Sequence, residues 1–259
     1  MGPPPGAGGA GGGDAGIGGA FSRGSSSRDH LNIKWNFPVY VPKGEKAGNE
    51  SRSERLRKAL NLKEAFAIIA GDDPRPLLVL RECLTCTGTD DALLTRQADN
   101  EKTMLMSRWF NCVKLPADVI DQDHPFHSIF SDEKPSHLFA ATKDGSQRLN
   151  LAGDQSRTEL WKAMGDTLNS QYSTKYKMQL KKLSSMLTRF DELDQKLGLA
   201  NGKLEDAIEK YGPKSKKMAK ADAKVRELRI AKGDLDKEME KHSKMMLKQK
   251  TKADKTKKS

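Results

Sequence analysis

Short apolar runs separated by polar turns predict a sheet in the middle of this chain. Residues 77–80 are apolar without interruption, as in a strand that is buried on both of its faces. Residues 103–116 form a second, mostly apolar stretch, which we also interpret as a strand. Residues 137–142, the turn at 143–145 and the apolar residues after it predict a β-hairpin.

Apolar residues at helical spacing predict helices around these strands. The first helix begins at Ser53, which can cap it, and ends before Gly71. A second helix is expected over residues 90–102 and a third over residues 154–172. Strands that alternate with helices in this order, followed by a hairpin and a last helix, indicate an α/β fold with a mixed sheet flanked by helices.

The first 52 residues have a different composition. Residues 1–30 are rich in Gly, Ala, Pro and Ser and cannot bury enough apolar surface to offset their backbone entropy, so we predict that they are disordered. Residues 31–52 are interpreted as an extended docking arm, in which Trp35 and Phe37 alternate with other residues. Pro38 would keep this arm at the edge of a sheet. The arm is expected to contact its own domain or a partner.

The last third of the chain has a heptad pattern. Apolar residues recur every three or four positions over 183–211 and again over 218–246, and Gly212-Pro213 separates the two series. We predict that residues 173–249 form a basic helical hairpin or coiled coil, either an antiparallel hairpin or a broken helix that dimerises. Residues 250–259 are predicted to be a frayed Lys-rich tail.

The net charge of +11 is concentrated in these C-terminal residues. From Lys175 onward, 25 Lys and Arg stand against 13 Asp and Glu, whereas the first 174 residues are close to neutral. Lysines can neutralise phosphates without reading sequence, so an unspecific contact with nucleic acid or a ribosome is one expectation. A solvated charged face, or helices that bind a protein partner, is the other.

Bulk properties also limit where the protein is expected. No run approaches the roughly 18 apolar residues that span a bilayer, so we expect no membrane contact. The N-terminus lacks the basic and apolar regions of a secretory signal. A sparse, odd number of cysteines favours a reducing compartment, and we therefore expect a cytoplasmic protein.

The three cysteines are the residues with the clearest chemical potential. Cys83 and Cys86 have C-x-x-C spacing directly after the apolar run, and such a pair is redox-active, metal-binding or simply buried. A zinc site would need further ligands such as His124 and His127, which are better interpreted as solvated loop residues. We expect no metal and no cofactor. Cys112 is expected to be a small buried hydrophobe.

Residues 53–172 resemble the thioredoxin-like fold. The resemblance depends on RPLLVL leading into CLTC, on EKPSHLF and on ATKDG. It implies thiol–disulfide exchange, with Cys83 or Cys86 as the nucleophile at a helix N-terminus that stabilises the thiolate. It also implies that Pro135 is a cis-proline that packs against the cysteines. In a second register the motif runs from Cys86 to Thr89 and carries a single thiol.

Two functions remain open from the sequence, and one of them is enzymatic. The first is a thiol–disulfide oxidoreductase or redox sensor that uses Cys83 and Cys86, and it needs a reachable thiolate beside Pro135. The second is a non-catalytic thioredoxin-like adaptor that contacts proteins or ribonucleoproteins through its N-terminal arm and basic helices. The adaptor should expose apolar surface around Trp35 and Phe37 or along the heptad seam.

Overall fold

The computed structural model describes residues 23–41, 58–83, 93–94 and 100–248. Several expectations lie outside these residues. They are the first 22 residues, the Ser53 cap, most of the predicted helix at 90–102 and the Lys-rich tail at 250–259.

A five-stranded mixed sheet forms the centre of the described structure. Its strands are β1 (Trp35–Asn36), β2 (Leu77–Arg81), β3 (Asn111–Leu115), β4 (Leu138–Ala141) and β5 (Arg148–Leu151). The spatial order is β1-β3-β2-β4-β5. The first three strands in this order are parallel, and β4 and β5 are antiparallel to their neighbours. The predicted α/β fold with a mixed sheet and flanking helices is confirmed.

Helices surround this sheet. They are α1 (Ser25–Asp29), α2 (Leu62–Ala70), α3 (Glu101–Ser107), α4 (Arg157–Gln171), α5 (Tyr176–Tyr211) and α6 (Lys216–Ser243), with short 3₁₀ turns at Ala117–Ile120 and His127–Ile129. Side-chain caps fix several starts: Asn61 caps α2, Ser215 caps α6, and Ser156 forms a capping box with Glu159 at α4.

The sheet separates two hydrophobic cores. Because side chains alternate along a strand, Leu78 and Leu80 face one core and Leu77 and Val79 face the other. Both faces of β2 are therefore buried over its whole length, which explains its uninterrupted apolar run. Helix α2 and the 3₁₀ turns cover the Leu77 side, and α3, α4 and α5 cover the Leu78 side.

Helices α5 and α6 form an antiparallel hairpin, one of the two arrangements predicted from the heptads. Lys232 Nζ lies 3.2 Å from the Asp194 carboxylate, and Arg189 pairs with Glu238 at 3.0 Å. The turn uses Gly212, whose φ of 81° is favourable for glycine. The domain-proximal half of the hairpin supplies Leu187, Phe190, Leu235 and Met239 to the same core as Leu78 and Leu80. The sheet and these helices are thus one packed unit.

Two predicted elements have different bounds. The stretch at 103–116 is not one strand, because α3 occupies its first residues and only Asn111–Leu115 pair in the sheet. A continuous buried apolar run does not distinguish a helix from a strand, which explains the error. The helix that ends before Gly71 is α2, which starts at Leu62, and Leu60 precedes it in non-helical backbone that donates its N–H to the carbonyl of Pro125.

The N-terminal residues are more ordered than predicted. Helix α1 packs on α5, where the hydroxyls of Ser26 and Ser27 donate to Asp194 and Asp191. The prediction of disorder is therefore wrong for residues 23–30, because polar contacts replace the apolar burial that their composition lacks. The arm docks on its own domain, since β1 pairs in parallel with β3.

Candidate functional site

The candidate site lies at the carboxyl end of the central strand β2. Leu80 pairs with Leu138 of the antiparallel strand β4, and the N–H of Arg81 then donates to the carbonyl of His137 at 2.8 Å. The described pairing ends there, so Cys83 follows the last residue of β2 by two positions and Pro135 precedes His137 by two positions. The predicted site residues Cys83 and Pro135 therefore come from neighbouring strand ends, as the hairpin after the cysteines requires.

The two cysteines that the structure describes, Cys83 and Cys112, have different environments. Cys83 is disulfide-bonded and follows the last residue of β2 by two positions. Cys86 and Thr89 lie outside the described residues, so the register of the motif remains a prediction. Cys112 is a free, buried thiol in β3, and burial raises its pKa to about 12. Its interpretation as a small buried hydrophobe is confirmed.

Pro135 differs in one respect from what the resemblance implies. None of the described residues has a cis peptide bond, so the expected cis-proline at this position is wrong. A trans X–Pro bond is intrinsically favoured by about 0.5–1 kcal/mol, and tertiary contacts must oppose that preference to select cis. Here the Pro135 carbonyl instead accepts a hydrogen bond from Arg81 Nη2 at 3.4 Å.

Arg81, the last residue of β2, is a buried cation two positions before Cys83. Only 8% of the residue is exposed, and its guanidinium donates to the carbonyls of Ser136, Glu82 and Pro135, each at 3.4 Å. Burial lowers its pKa from the usual range. In the part of the chain that the structure describes, no carboxylate pairs with it. A positive charge here favours the thiolate form of a neighbouring cysteine.

A second arginine, Arg148 of β5, contacts the segment that precedes β4. Arg148 Nη2 donates to the hydroxyl of Ser136 at 2.9 Å, and its guanidinium lies 4.1 Å from the centre of the Phe139 ring. Burial lowers the pKa of Arg148, and Asp132 partly opposes that effect. Sequence reasoning missed both arginines. The available signal was a charged residue at the end of an otherwise apolar strand.

Other charges at the corner are balanced or neutral. Lys114 Nζ lies 3.8 Å from the Glu82 carboxylate, which offsets the acid that precedes Cys83. Burial and the nearby Arg81 both lower the pKa of His137, so its imidazole is neutral at pH 7. Among the residues that the structure describes at this corner, no acid pairs with Arg81, so its positive charge can act on a neighbouring thiol.

The histidines proposed for zinc are engaged locally. His124 Nδ1 accepts from the N–H of Phe126 at 3.0 Å, and His127 Nδ1 lies 3.0 Å from the carbonyl of Ile120. Within the described ranges, no group of three or more His, Cys, Asp or Glu side chains is arranged to hold a metal ion. Cys86, which the zinc alternative also needs, lies outside the described residues, so that alternative is not tested by this arrangement.

The basic helices expose many ion pairs within α6. Lys224 pairs with Glu227 at 2.8 Å and Arg226 with Asp222 at 2.7 Å. Such exposed pairs contribute about 0.3–0.5 kcal/mol each and are typical of a solvated helix face. Over the residues for which a conformation is given, no helix is sufficiently long and apolar to cross a bilayer.

Three comparisons were made with this chain, against models of known protein families, curated proteins and solved structures, and none of them found a match.

Proposed function

We propose that this chain is a cytoplasmic thioredoxin-like protein that exchanges thiols and disulfides through Cys83 and Cys86. The observation that carries the proposal is the position of Cys83, which is disulfide-bonded two residues after the central strand β2, whose neighbour β4 is preceded by the segment that contains Pro135. The strand order β1-β3-β2-β4-β5, with three parallel strands followed by an antiparallel hairpin, supports the thioredoxin-like resemblance.

The proposed exchange has two steps. In the reduced protein, the thiolate of one cysteine attacks a disulfide of the substrate, forms a mixed disulfide and releases one substrate thiolate, which is then protonated. The second cysteine then attacks its neighbour's sulfur, releases the other substrate thiol and closes the Cys83–Cys86 disulfide. Two electrons pass from the protein to the substrate. The Arg81 guanidinium supports the first step by favouring the thiolate.

Thiol trapping tests this proposal. A Cys112→Ser variant retains only the two motif cysteines. This variant is equilibrated in a series of glutathione buffers and alkylated, and its mass is then measured. We expect the two free thiols to disappear together, in one two-electron transition between roughly −270 and −120 mV. Free alkylation of both thiols across the series would contradict the proposal.

Single substitutions distinguish the two registers. Cys86→Ser should abolish exchange in either register, whereas Cys83→Ser should abolish it only if Cys83 and Cys86 form the pair. Exchange that survives both substitutions would exclude both registers. The readout is the rate of disulfide reduction in a model substrate with dithiothreitol as the electron source.

A second candidate function is a non-catalytic adaptor, and the N-terminal arm favours it. Beyond β1, the side chains of Phe37, Val39 and Val41 are exposed by 66%, 77% and 64%. A row of apolar side chains next to an edge strand suits a protein partner that adds to the sheet. A photo-crosslinking residue at Val39 tests this function. We expect a discrete adduct in cells, which Phe37→Ser should remove.

A further inference from the structure

A groove between α3 and α5 brings lysines from both helices together. It has a volume of about 560 Å³ and is lined by Lys102 of α3 and by Lys177 and Lys181 of α5, with Ser185 among its hydroxyl groups. Among the residues that the structure describes, none of these three lysines has an acidic side chain within ion-pair distance. The groove therefore concentrates positive charge that no acid of the described residues pairs with.

Lys102 is held in place by an aromatic ring. Its Nζ lies 3.9 Å from the centre of the Trp161 ring, and the indole N–H of Trp161 donates to the Thr103 hydroxyl at 3.0 Å. The guanidinium of Arg157 lies 4.8 Å from the centre of the same ring. Burial lowers the pKa of Lys102, and Lys177 and Arg157 lower it further. Lys102, Lys177 and Arg157 thus lie close enough to repel one another, and a bound anion would stabilise all three.

Glu101, the one acid among the described lining residues, is already engaged. Glu101 Oε2 accepts a hydrogen bond from Arg23 Nε at 2.8 Å and lies 2.8 Å from Arg23 Nη2 in an ion pair, and its Oε1 accepts from the Ser184 hydroxyl at 2.7 Å. Arg23 reaches it from the residues before α1. The docked N-terminal segment therefore neutralises the acid and leaves the lysines available for a ligand.

The spacing of the lysines indicates the shape of the ligand. Lys177, Lys181 and Ser185 follow one another at intervals of four residues, so they lie along one face of α5 about 6 Å apart. Lys102 faces them from α3. A flexible row of compact charges suits linked phosphates, because ammonium groups bind them as point charges without a fixed fork. The Trp161 face is covered by Lys102, which does not favour stacking of a base.

We propose that this groove binds a linear di- or triphosphate group. Two sources would present it, an inorganic polyphosphate or the phosphate chain of a nucleotide, and both would be recognised through their phosphates. This site is separate from the cysteine corner and does not depend on thiol exchange.

Calorimetric titration of the full chain tests the proposal. Sodium tripolyphosphate, ATP without magnesium and a single-stranded RNA oligonucleotide are titrated at 0.1 M salt. The groove variants are Lys177→Gln/Lys181→Gln, which changes only exposed side chains, and Lys102→Gln. Lys203→Gln/Lys220→Gln is the matched control, because it removes the same charge from exposed positions outside the groove.

We expect saturable 1:1 binding of tripolyphosphate that each groove variant weakens at least about tenfold, while the control variant binds as the parent does. Equal or tighter binding of ATP would identify a nucleotide as the source, and binding of tripolyphosphate alone would identify an inorganic polyphosphate. Absence of saturable binding, or an equal loss in the control variant, would overturn the proposal. RNA that binds more tightly than tripolyphosphate would overturn it in favour of a nucleic-acid surface.

Discussion

Gly145 lies directly against the ring of Phe66. A Cβ at this position would come within 2.5 Å of the Phe66 Cε2 atom, and the backbone φ of Gly145 is 72°. The turn of the β4–β5 hairpin therefore closes onto α2, and only glycine satisfies both its conformation and its contact.

Gly145→Ala should destabilise the protein by about 2–4 kcal/mol, because it combines an unfavourable φ with overpacking against a buried ring. Urea unfolding followed by circular dichroism measures the change. Gly202→Ala is the matched control, since it lies within α5 with no atom near its Cβ position. That variant should gain roughly 0.5–1 kcal/mol, and equal destabilisation of both would contradict the assignment.

Phe190→Ala should cost about 3–5 kcal/mol, because this fully buried ring of α5 packs into the core beneath the sheet. Unfolding should remain a single transition seen alike by far- and near-UV signals. Leu199→Ala on the exposed side of the same helix should change stability by less than about 0.5 kcal/mol. A sheet that stays folded after the helices have melted would show that the hairpin is a separate domain.

Arg81→Met should raise the pKa of the reactive motif thiol by on the order of one pH unit, because a nearby cation favours the thiolate. The rate of iodoacetamide alkylation as a function of pH gives this value in the reduced protein. Arg226→Met removes a charge from an exposed position of α6 and should leave the profile unchanged. A fall in the thiol pKa after Arg81→Met would refute the electrostatic role.

Cys112 should resist alkylation at pH 8 in the folded protein and react fully in denaturant. Its pKa of about 12 leaves almost no thiolate, and the side chain is buried. Mass spectrometry after a short iodoacetamide pulse gives the modified fraction. Rapid native alkylation at this position would contradict the burial described for β3.

Helix α1 should detach from α5 in acid. Desolvation raises the pKa of Asp191 and of Asp194, but hydrogen bonds from Ser27 and Arg23 to the first and from Ser26 to the second outweigh it, so both values are lowered. Groups with a lowered folded-state pKa contribute stability above their unfolded value, near 3.9, and this contribution is lost as the pH falls through the folded value.

Hydrogen exchange of residues 25–31 measures this detachment. Protection should decrease below about pH 4 while β2 stays protected. The Asp191→Asn/Asp194→Asn variant should lose this protection at pH 7. The Glu192→Gln/Glu205→Gln variant, which removes the same charge, serves as the control. Protection that is independent of pH would show that α1 is held by its apolar neighbours alone.

Local sequence patterns were sufficient to predict much of the sheet. The apolar run of β2, the hairpin around Gly145 and the break at Gly212 each depend on neighbouring residues, so the sequence predicts them directly. The docking of α1 was not predictable in this way, because Ser26 and Ser27 find Asp194 and Asp191 more than 160 residues later.

The candidate site likewise combines residues that the sequence indicates with residues that only the fold brings together. The C-x-x-C spacing indicates Cys83 and Cys86, and the thioredoxin-like resemblance implies Pro135, whereas Arg81 and Arg148 gain their significance only from the strand register that brings them to Ser136. The lysines of the groove are a similar case. Lys102 and Lys181 become neighbours because α3 and α5 pack side by side, which no local pattern records.

The division of the α5–α6 hairpin between a packed and a projecting half has a hydrodynamic consequence. From Leu197 to the turn at Gly212, α5 extends by about 22 Å, and in that part it is held by α6 through a small cluster of Ala200, Val225 and Leu228. A rod of this length makes the particle tumble anisotropically. Its Stokes radius should exceed that of a sphere of equal mass, and a fluorophore at the tip should report slow end-over-end rotation.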